Sequence, residues 1–117
     1  MDLAEDIDMA GVGTKKVFEN DRVIVWELDL DPDERIPLHT PELDYLFYVY
    51  AGGDIEVFDE AGEPAGMLHP KTGDVLAFRV DGDRLIPDGG GEAVPATHSA
   101  RNAGTERYRE VLVEMKR

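Results

Sequence analysis

Hydrophobic and polar residues alternate along much of the chain with a period of two, which is typical of β-strands that bury one face. In the segment RVIVWELDL at 22–30, Trp26, Leu28 and Leu30 fall on one face of such a strand. The segment RYREVLVEMK at 107–116 alternates in the same way. The pattern therefore predicts one strand near the start of the chain and another at its end.

Three further segments between these two have strand character. LDYLFYVYAGG at 43–53 is rich in aromatic residues and ends at a Gly-Gly pair. DIEVFDEAGEPAGML at 54–68 predicts a strand, a turn at 59–62 and a second strand, and GDVLAFRV at 73–80 predicts another short strand. Short strands separated by turn signals predict an all-β fold, either an antiparallel sandwich or a closed barrel.

One connection between strands is long. Residues 81–96, DGDRLIPDGGGEAVPA, contain three consecutive glycines, which predict a mobile loop rather than a strand. A loop of this length in a compact domain is either a functional lid or disordered. Helix signals are confined to the N-terminal end, where Gly11 and Gly13 would stop a short helix. We therefore divide the chain into an acidic N-terminal arm at 1–16 and one barrel domain at 17–117.

The chain is strongly acidic, with 26 acidic and 12 basic residues among 117 and a formal net charge of −14. This balance argues against nucleic acid and against anionic membranes as partners, because both require clustered basic residues. The acidic residues are spread along the whole chain instead of forming one tail. Such a distribution indicates a halophilic protein, whose self-repulsion concentrated salt would screen, or alternatively an acidic mesophilic one.

The absence of cysteine excludes disulfides, thiolate metal sites and cysteine nucleophiles. No apolar run approaches the roughly 20 residues of a membrane span. The N-terminal sequence MDLAEDIDMAGVG lacks the basic region and the apolar stretch of a signal peptide. These features together lead us to expect a cytoplasmic protein.

The candidate chemistry centres on three histidines. His39 precedes the aromatic strand, His98 precedes a turn signal at 102–104, and His69 lies in a predicted loop where we expect it to have no role. Ser99 follows His98 directly and would face the opposite side of a strand, so the pair does not indicate a catalytic triad.

The spacing around His39 resembles the first sequence motif of the small single-domain cupins, which are RmlC-like jelly-roll barrels. His39 falls on the first histidine of that motif, Pro41 on the second, Tyr45 on its glutamate and Gly52 on its closing glycine. The segment HTPELDY is similar to a His-x-His-x-x-Asp-Tyr subgroup linked to β-alanine degradation. In the second motif, His98 falls on the histidine and Asn102 on the asparagine.

The resemblance implies an antiparallel double-stranded β-helix, a homodimer and a divalent transition metal such as Fe, Mn, Ni or Zn. Cupins hold this metal with three imidazoles and one carboxylate, and this chain keeps only His39 and His98. Proline at 41 has no donor atom, and the phenol of Tyr45 ionises only with a pKa near 10. Glu42 or Asp44 is a candidate third ligand, although a regular strand would turn both away from His39.

Two functions remain open at this point. The barrel binds a small organic ligand at a degenerate metal site, with Tyr45, Phe47 and Asn102 as ligand-binding residues. Alternatively, the chain is a metal-dependent enzyme of the oxygenase or isomerase type that acts on a small organic acid. The sequence assigns no catalytic residue under either hypothesis.

Overall fold

The computed structural model describes residues 14–117 and contains eleven β-strands and no helix in that range. It follows that no helix in this part of the chain could cross a membrane. The strands are β1 (Lys15–Glu19), β2 (Val23–Leu30), β3 (Arg35–His39), β4 (Tyr45–Ala51), β5 (Ile55–Phe58), β6 (Pro64–Leu68), β7 (Val75–Asp81), β8 (Arg84–Pro87), β9 (Val94–Pro95), β10 (His98–Asn102) and β11 (Tyr108–Met115).

The strands form two antiparallel sheets that enclose one core. The larger sheet has seven strands in the order β1-β2-β11-β4-β7-β8-β9, and the smaller has four in the order β3-β10-β5-β6. Successive strands β2 to β5 alternate between the two sheets, so the chain winds around the core. The prediction of an all-β antiparallel barrel is confirmed.

The alternating patterns place one face of each long strand in the core. Trp26, Leu28 and Leu30 of β2 are buried, as are Tyr45 and Phe47 of β4. The neighbouring β7 contributes Phe78, and the rings of these three aromatic residues lie 5.6–6.5 Å apart, at separations typical of favourable aromatic contacts.

The prediction that 81–96 is a loop rather than a strand is wrong for part of this segment, which contains β8 and β9 on either side of the three glycines. The structure forms a hairpin there, in which Asp81 of β7 pairs with Arg84 of β8, and β9 then pairs with β8. Gly82 has a φ of 62° in the hairpin turn, and the glycines at 89–91 have φ values of 92–114°. The glycines therefore provide left-handed turn conformations between short strands.

The predicted boundary between arm and barrel, at 16/17, falls within strand β1. Strand β1 begins at Lys15, two residues before the predicted boundary, and pairs along β2. The proposed helix and most of the acidic arm fall at 1–13, outside the described residues.

Candidate functional site

A cavity of about 60 Å³ lies between the two sheets. Its walls are mostly aliphatic and aromatic, and they include Leu28 and Phe78 from the larger sheet. The polar side chains that line it are His39, His98, Tyr45 and Glu110. A small apolar space with a few convergent polar groups is the usual form of a ligand site.

The two histidines come together because their strands are neighbours. β10 pairs with β3 so that His98 lies opposite His39, and the ring centroids are 4.5 Å apart at an angle of 59°. Both side chains are buried. The predicted convergence of His39 and His98 is therefore present in the structure.

Backbone carbonyls fix the orientation of both rings. Nδ1 of His39 lies 3.0 Å from the carbonyl oxygen of Pro37, and Nδ1 of His98 lies 2.9 Å from that of Ala96. Because a carbonyl oxygen only accepts, each Nδ1 must carry a proton and donate it. In the neutral ring, Nε2 is then left as a hydrogen-bond acceptor.

Burial keeps both rings neutral. Loss of solvation, with a smaller contribution from the neighbouring His98, lowers the pKa of His39 to about 4. Burial also lowers the pKa of His98, although its hydrogen bonds to backbone carbonyls act in the opposite direction. Near neutral pH the pair consists of two uncharged imidazoles.

Glu110 is a cavity residue that the sequence analysis did not identify. It lies on β11, is only 4% exposed, and accepts a hydrogen bond of 2.5 Å from the hydroxyl of Tyr108. Burial raises the pKa of Glu110 to about 8, against the effect of this hydrogen bond. The side chain is therefore mainly a neutral carboxylic acid at neutral pH. In the sequence, Glu110 lies two residues before Leu112 and therefore on the same face of the predicted strand. This shared face is the sequence feature that could have identified Glu110.

Tyr45 and Phe47 line the cavity, as predicted. Burial raises the pKa of Tyr45 above its usual value of about 10, and the nearby Glu110 and Glu114 add to this effect. The phenol therefore keeps its proton. A neutral phenol is a hydrogen-bonding group for an organic ligand and a poor replacement for the carboxylate of a metal site.

Asn102, predicted as a ligand-binding residue, supports a turn and is not among the residues that line the cavity. Its side-chain nitrogen donates to the carbonyl oxygens of Leu30 (2.9 Å) and Glu106 (2.8 Å). Its side-chain oxygen accepts from the backbone nitrogen of Gly104 at 2.9 Å. These bonds join the end of β10 to β2 and to the turn before β11.

Neither candidate for a third metal ligand points into the barrel. Glu42 is exposed, and the carboxylate of Asp44 accepts a hydrogen bond of 2.8 Å from the backbone nitrogen of Val80. Within 14–117 no three His, Asp or Glu side chains are placed to share a metal ion. Two imidazoles are fewer than the three or four protein ligands of a firm transition-metal site, so the donor set does not fit a resident metal.

No protein-family model matches the sequence, and no curated protein is similar to it at a significant level. Several solved structures are similar in fold. A cupin domain from Bordetella pertussis Tohama I superposes with a TM-score of 0.66 at 16% identity, over 88% of this chain and 91% of that one. A double-stranded β-helix protein from Klebsiella pneumoniae subsp. pneumoniae MGH 78578 gives 0.58 at 21% identity, over 98% and 87% of the two chains.

A third similar structure is an enzyme, the polyketide cyclase RemF from Streptomyces resistomycificus. It gives a TM-score of 0.50 at 17% identity, over 86% of this chain and 62% of that one. Likeness at these identities shows the fold, which is the antiparallel double-stranded β-helix of the cupins.

Proposed function

We propose that the barrel binds a small, uncharged organic molecule beside His39 and His98. One observation supports this proposal: four polar side chains line an apolar cavity and have hydrogen-bonding capacity to spare. Within 14–117 no hydrogen-bond partner is found for the following atoms: His39 Nε2, His98 Nε2, the Tyr45 hydroxyl and the second carboxyl oxygen of Glu110. In that part of the chain the only fully enclosed side-chain atom without a partner is Arg109 Nε, so these four atoms remain open to the cavity, where a ligand or ordered water can bond to them.

The volume of the cavity limits the ligand to a few non-hydrogen atoms. Drug-sized ligands occupy pockets of roughly 300–1,000 Å³. The cavity here has about 60 Å³, which is enough for about two water molecules or one compact polar molecule.

The protonation states favour a neutral ligand over an ion. The imidazoles of His39 and His98 are uncharged, and Glu110 is mainly protonated near neutral pH. A charged ligand would lose its hydration without gaining a counter-charge. The net charge of −14 also repels anions from the surface. The chemistry suits a group that donates to an imidazole Nε2 and accepts from the acid of Glu110, such as an amide or an alcohol.

Acetamide and acetate test the proposal, because they match in size and differ in charge. We expect acetamide to shift the side-chain NMR signals of His39 and His98 with saturation in the millimolar range. A ligand of four non-hydrogen atoms has at best about −6 kcal/mol available. Acetate at the same concentrations should give no saturable shift.

Two histidine variants provide the controls. His98→Ala should abolish the acetamide response, whereas His69→Ala should retain it, because His69 is exposed and pairs with Asp54 outside the cavity. Saturable binding of acetate alone, or of neither probe, would contradict the proposal.

A weakly bound divalent transition metal is the second candidate, and the fixed imidazoles favour it. Histidines that bind metals usually donate their other ring nitrogen to a carbonyl or carboxylate, as His39 and His98 do here. Such a site would support the alternative of a metal-dependent oxygenase or isomerase. Since the third and fourth ligands are missing, we expect occupancy far below one ion per chain.

A further inference from the structure

The polar groups of the cavity divide between its two walls. His39 of β3 and His98 of β10 belong to the smaller sheet, whereas Tyr45 of β4 and Glu110 of β11 belong to the larger sheet. In each pair the two strands are direct neighbours. A molecule that fills the space between the sheets therefore has the imidazoles on one side and the phenol and carboxyl groups on the other.

The wall of the smaller sheet offers two hydrogen-bond acceptors. Nδ1 of His39 and Nδ1 of His98 each donate to a backbone carbonyl, which leaves Nε2 of each ring as the acceptor. The two hydrogens of an NH₂ group diverge, so they reach two acceptors that lie about 5 Å apart. Two rings with centroids 4.5 Å apart can present their nitrogens at this separation. This wall therefore matches a single NH₂ group.

The wall of the larger sheet offers hydrogen-bond donors. Tyr108 is fully buried, and among the described residues Glu110 is the one acceptor for its hydroxyl proton. The hydroxyl therefore donates to Oε1 of Glu110, and the proton of the neutral carboxyl group lies on Oε2, the oxygen without a partner. The Tyr45 hydroxyl is a second donor on this wall. Two donors match the two lone pairs of one carbonyl oxygen.

We infer that the ligand of the cavity is a primary carboxamide, with its NH₂ group at the two histidines and its carbonyl oxygen at Tyr45 and Glu110. This inference rests on the proposed function and narrows it. A primary carboxamide has two N–H donors and two oxygen lone pairs, one for each group. An alcohol has one donor and a ketone has none, so either would leave an imidazole nitrogen unpaired and would bind more weakly.

Two isomers of the same composition test the inference on the full chain. Acetamide is a primary amide, and N-methylformamide has the same atoms with one N–H instead of two. We expect acetamide to move the Nε2 NMR signals of both His39 and His98, with a Kd at least about tenfold below that of N-methylformamide. Acetone, which has a carbonyl oxygen and no N–H, should bind more weakly still.

Substitutions at two buried glutamates of β11 test the carbonyl side. Glu110→Leu removes the donor and should raise the Kd for acetamide at least about tenfold. Glu110→Gln should recover most of this loss, because its side-chain NH₂ can donate in place of the acid. Glu114→Leu is the matched control: Glu114 accepts from the Trp26 indole at 2.7 Å and is not among the residues that line the cavity, so its loss should leave the Kd unchanged.

Equal Kd values for acetamide and N-methylformamide, or movement of one Nε2 signal alone by acetamide, would overturn the inference and leave the proposed function standing. So would an unchanged Kd in Glu110→Leu, or equal losses in Glu110→Leu and Glu114→Leu. Failure of acetamide to bind the wild type would remove both proposals. Backbone amide spectra show whether each variant is folded, and the comparison of ligands on the wild type is decisive even where a variant is not.

Discussion

The pKa of the Glu110 side chain differs strongly between the folded and the unfolded chain. In the unfolded chain its carboxyl has a pKa near 4.3, and burial beside Tyr108 raises this pKa to about 8 in the folded protein. Between these values the folded state holds a proton that the unfolded state has lost. The folding stability from this residue is therefore greatest at low pH and is lost as pH rises toward about 8.

Glu110→Gln should remove this pH dependence. Burial lowers the pKa values of His39 and His98, and in the unfolded chain both still lose protons just above pH 6.5, so these two residues raise stability with pH in the window from about 6.5 to about 8. Wild type and variant share this contribution, and the difference between their curves reports on Glu110. Relative to Glu110→Gln, wild-type stability should fall across this window by about 2 kcal/mol, as 1.5 pH units imply at 1.36 kcal/mol per unit.

The stability of the glutamine variant should not fall across the same window, because its amide does not ionise and can still accept the hydrogen bond from Tyr108. Urea unfolding at several pH values measures both curves. Parallel curves for wild type and Glu110→Gln, or a wild-type curve that rises more steeply than the curve of the variant, would show that Glu110 is ionised in the folded protein.

Pro41→His should strengthen metal binding. Pro41 is buried two residues after His39, at the position where a third imidazole would complete the metal-binding motif. Backbone carbonyls already orient the rings of His39 and His98. In other metal sites, losing such hydrogen-bond partners of the ligands lowers metal affinity by about 10–100-fold. We expect at least a roughly tenfold rise in nickel affinity for untagged Pro41→His over wild type.

Glu42→His is the control for that comparison, because it adds an imidazole at an exposed neighbouring position. Elemental analysis by mass spectrometry after dialysis measures the bound metal. Equal metal content in Pro41→His and Glu42→His would mean that position 41 does not face the histidine pair. Full occupancy in the wild type would show that other residues complete the site.

The sequence predicted part of the site and could not predict the rest. The convergence of His39 and His98 followed from motif spacing, and Tyr45 followed from sharing a face with His39. Glu110 was missed because an acidic residue in a chain with 26 of them is expected to be on the surface. Only the pairing of β11 between β2 and β4 shows that it is enclosed.

At the scale of elements, the end of β4 depends on one glycine. A Cβ on Gly52 would lie 2.6 Å from the carbonyl oxygen of Pro70 and 2.7 Å from the backbone nitrogen of Thr72. Both atoms belong to the backbone and cannot rotate away. The loop before β7 can therefore pack closely on β4 only if residue 52 has no side chain.

Gly52→Ala should destabilise the protein by about 1–3 kcal/mol, as overpacking does in cores. Gly53→Ala is the matched control, because its nearest neighbour would be a side-chain carbon of Tyr108 at 3.7 Å, an ordinary contact distance. Thermal and urea unfolding of the two variants gives the difference. Equal loss in both variants would contradict this explanation of the close packing at Gly52.

Element prediction from sequence succeeded where alternation was long and failed where strands were short. β2 and β11 each have eight residues with a clear alternating pattern. β8 and β9 have four and two residues beside three glycines, and their own composition favours a loop. Pairing of β8 with β7, and of β9 with β8, supplies the hydrogen bonds that stabilise them, and the pairing with β7 cannot be read from the segment alone.

For the whole molecule, stability should rise with salt. A net charge of −14 on 13.0 kDa causes self-repulsion that screening reduces. The melting temperature should increase by at least about 5 °C between roughly 0.1 M and 2 M KCl, which corresponds to about 1 kcal/mol for a domain of this size. An unchanged or lower melting temperature in high salt would argue for an acidic mesophilic protein.

The proposed function requires that His39 and His98 present two uncharged rings, with free Nε2 atoms, to the cavity. Long-range ¹H–¹⁵N NMR of the histidine side chains near pH 7 tests it most directly, because the nitrogen shifts report both tautomer and charge. We expect both rings to be neutral with the proton on Nδ1, and we expect their Nε2 signals to move when acetamide is added. Protonated rings, or protons on Nε2, would contradict it.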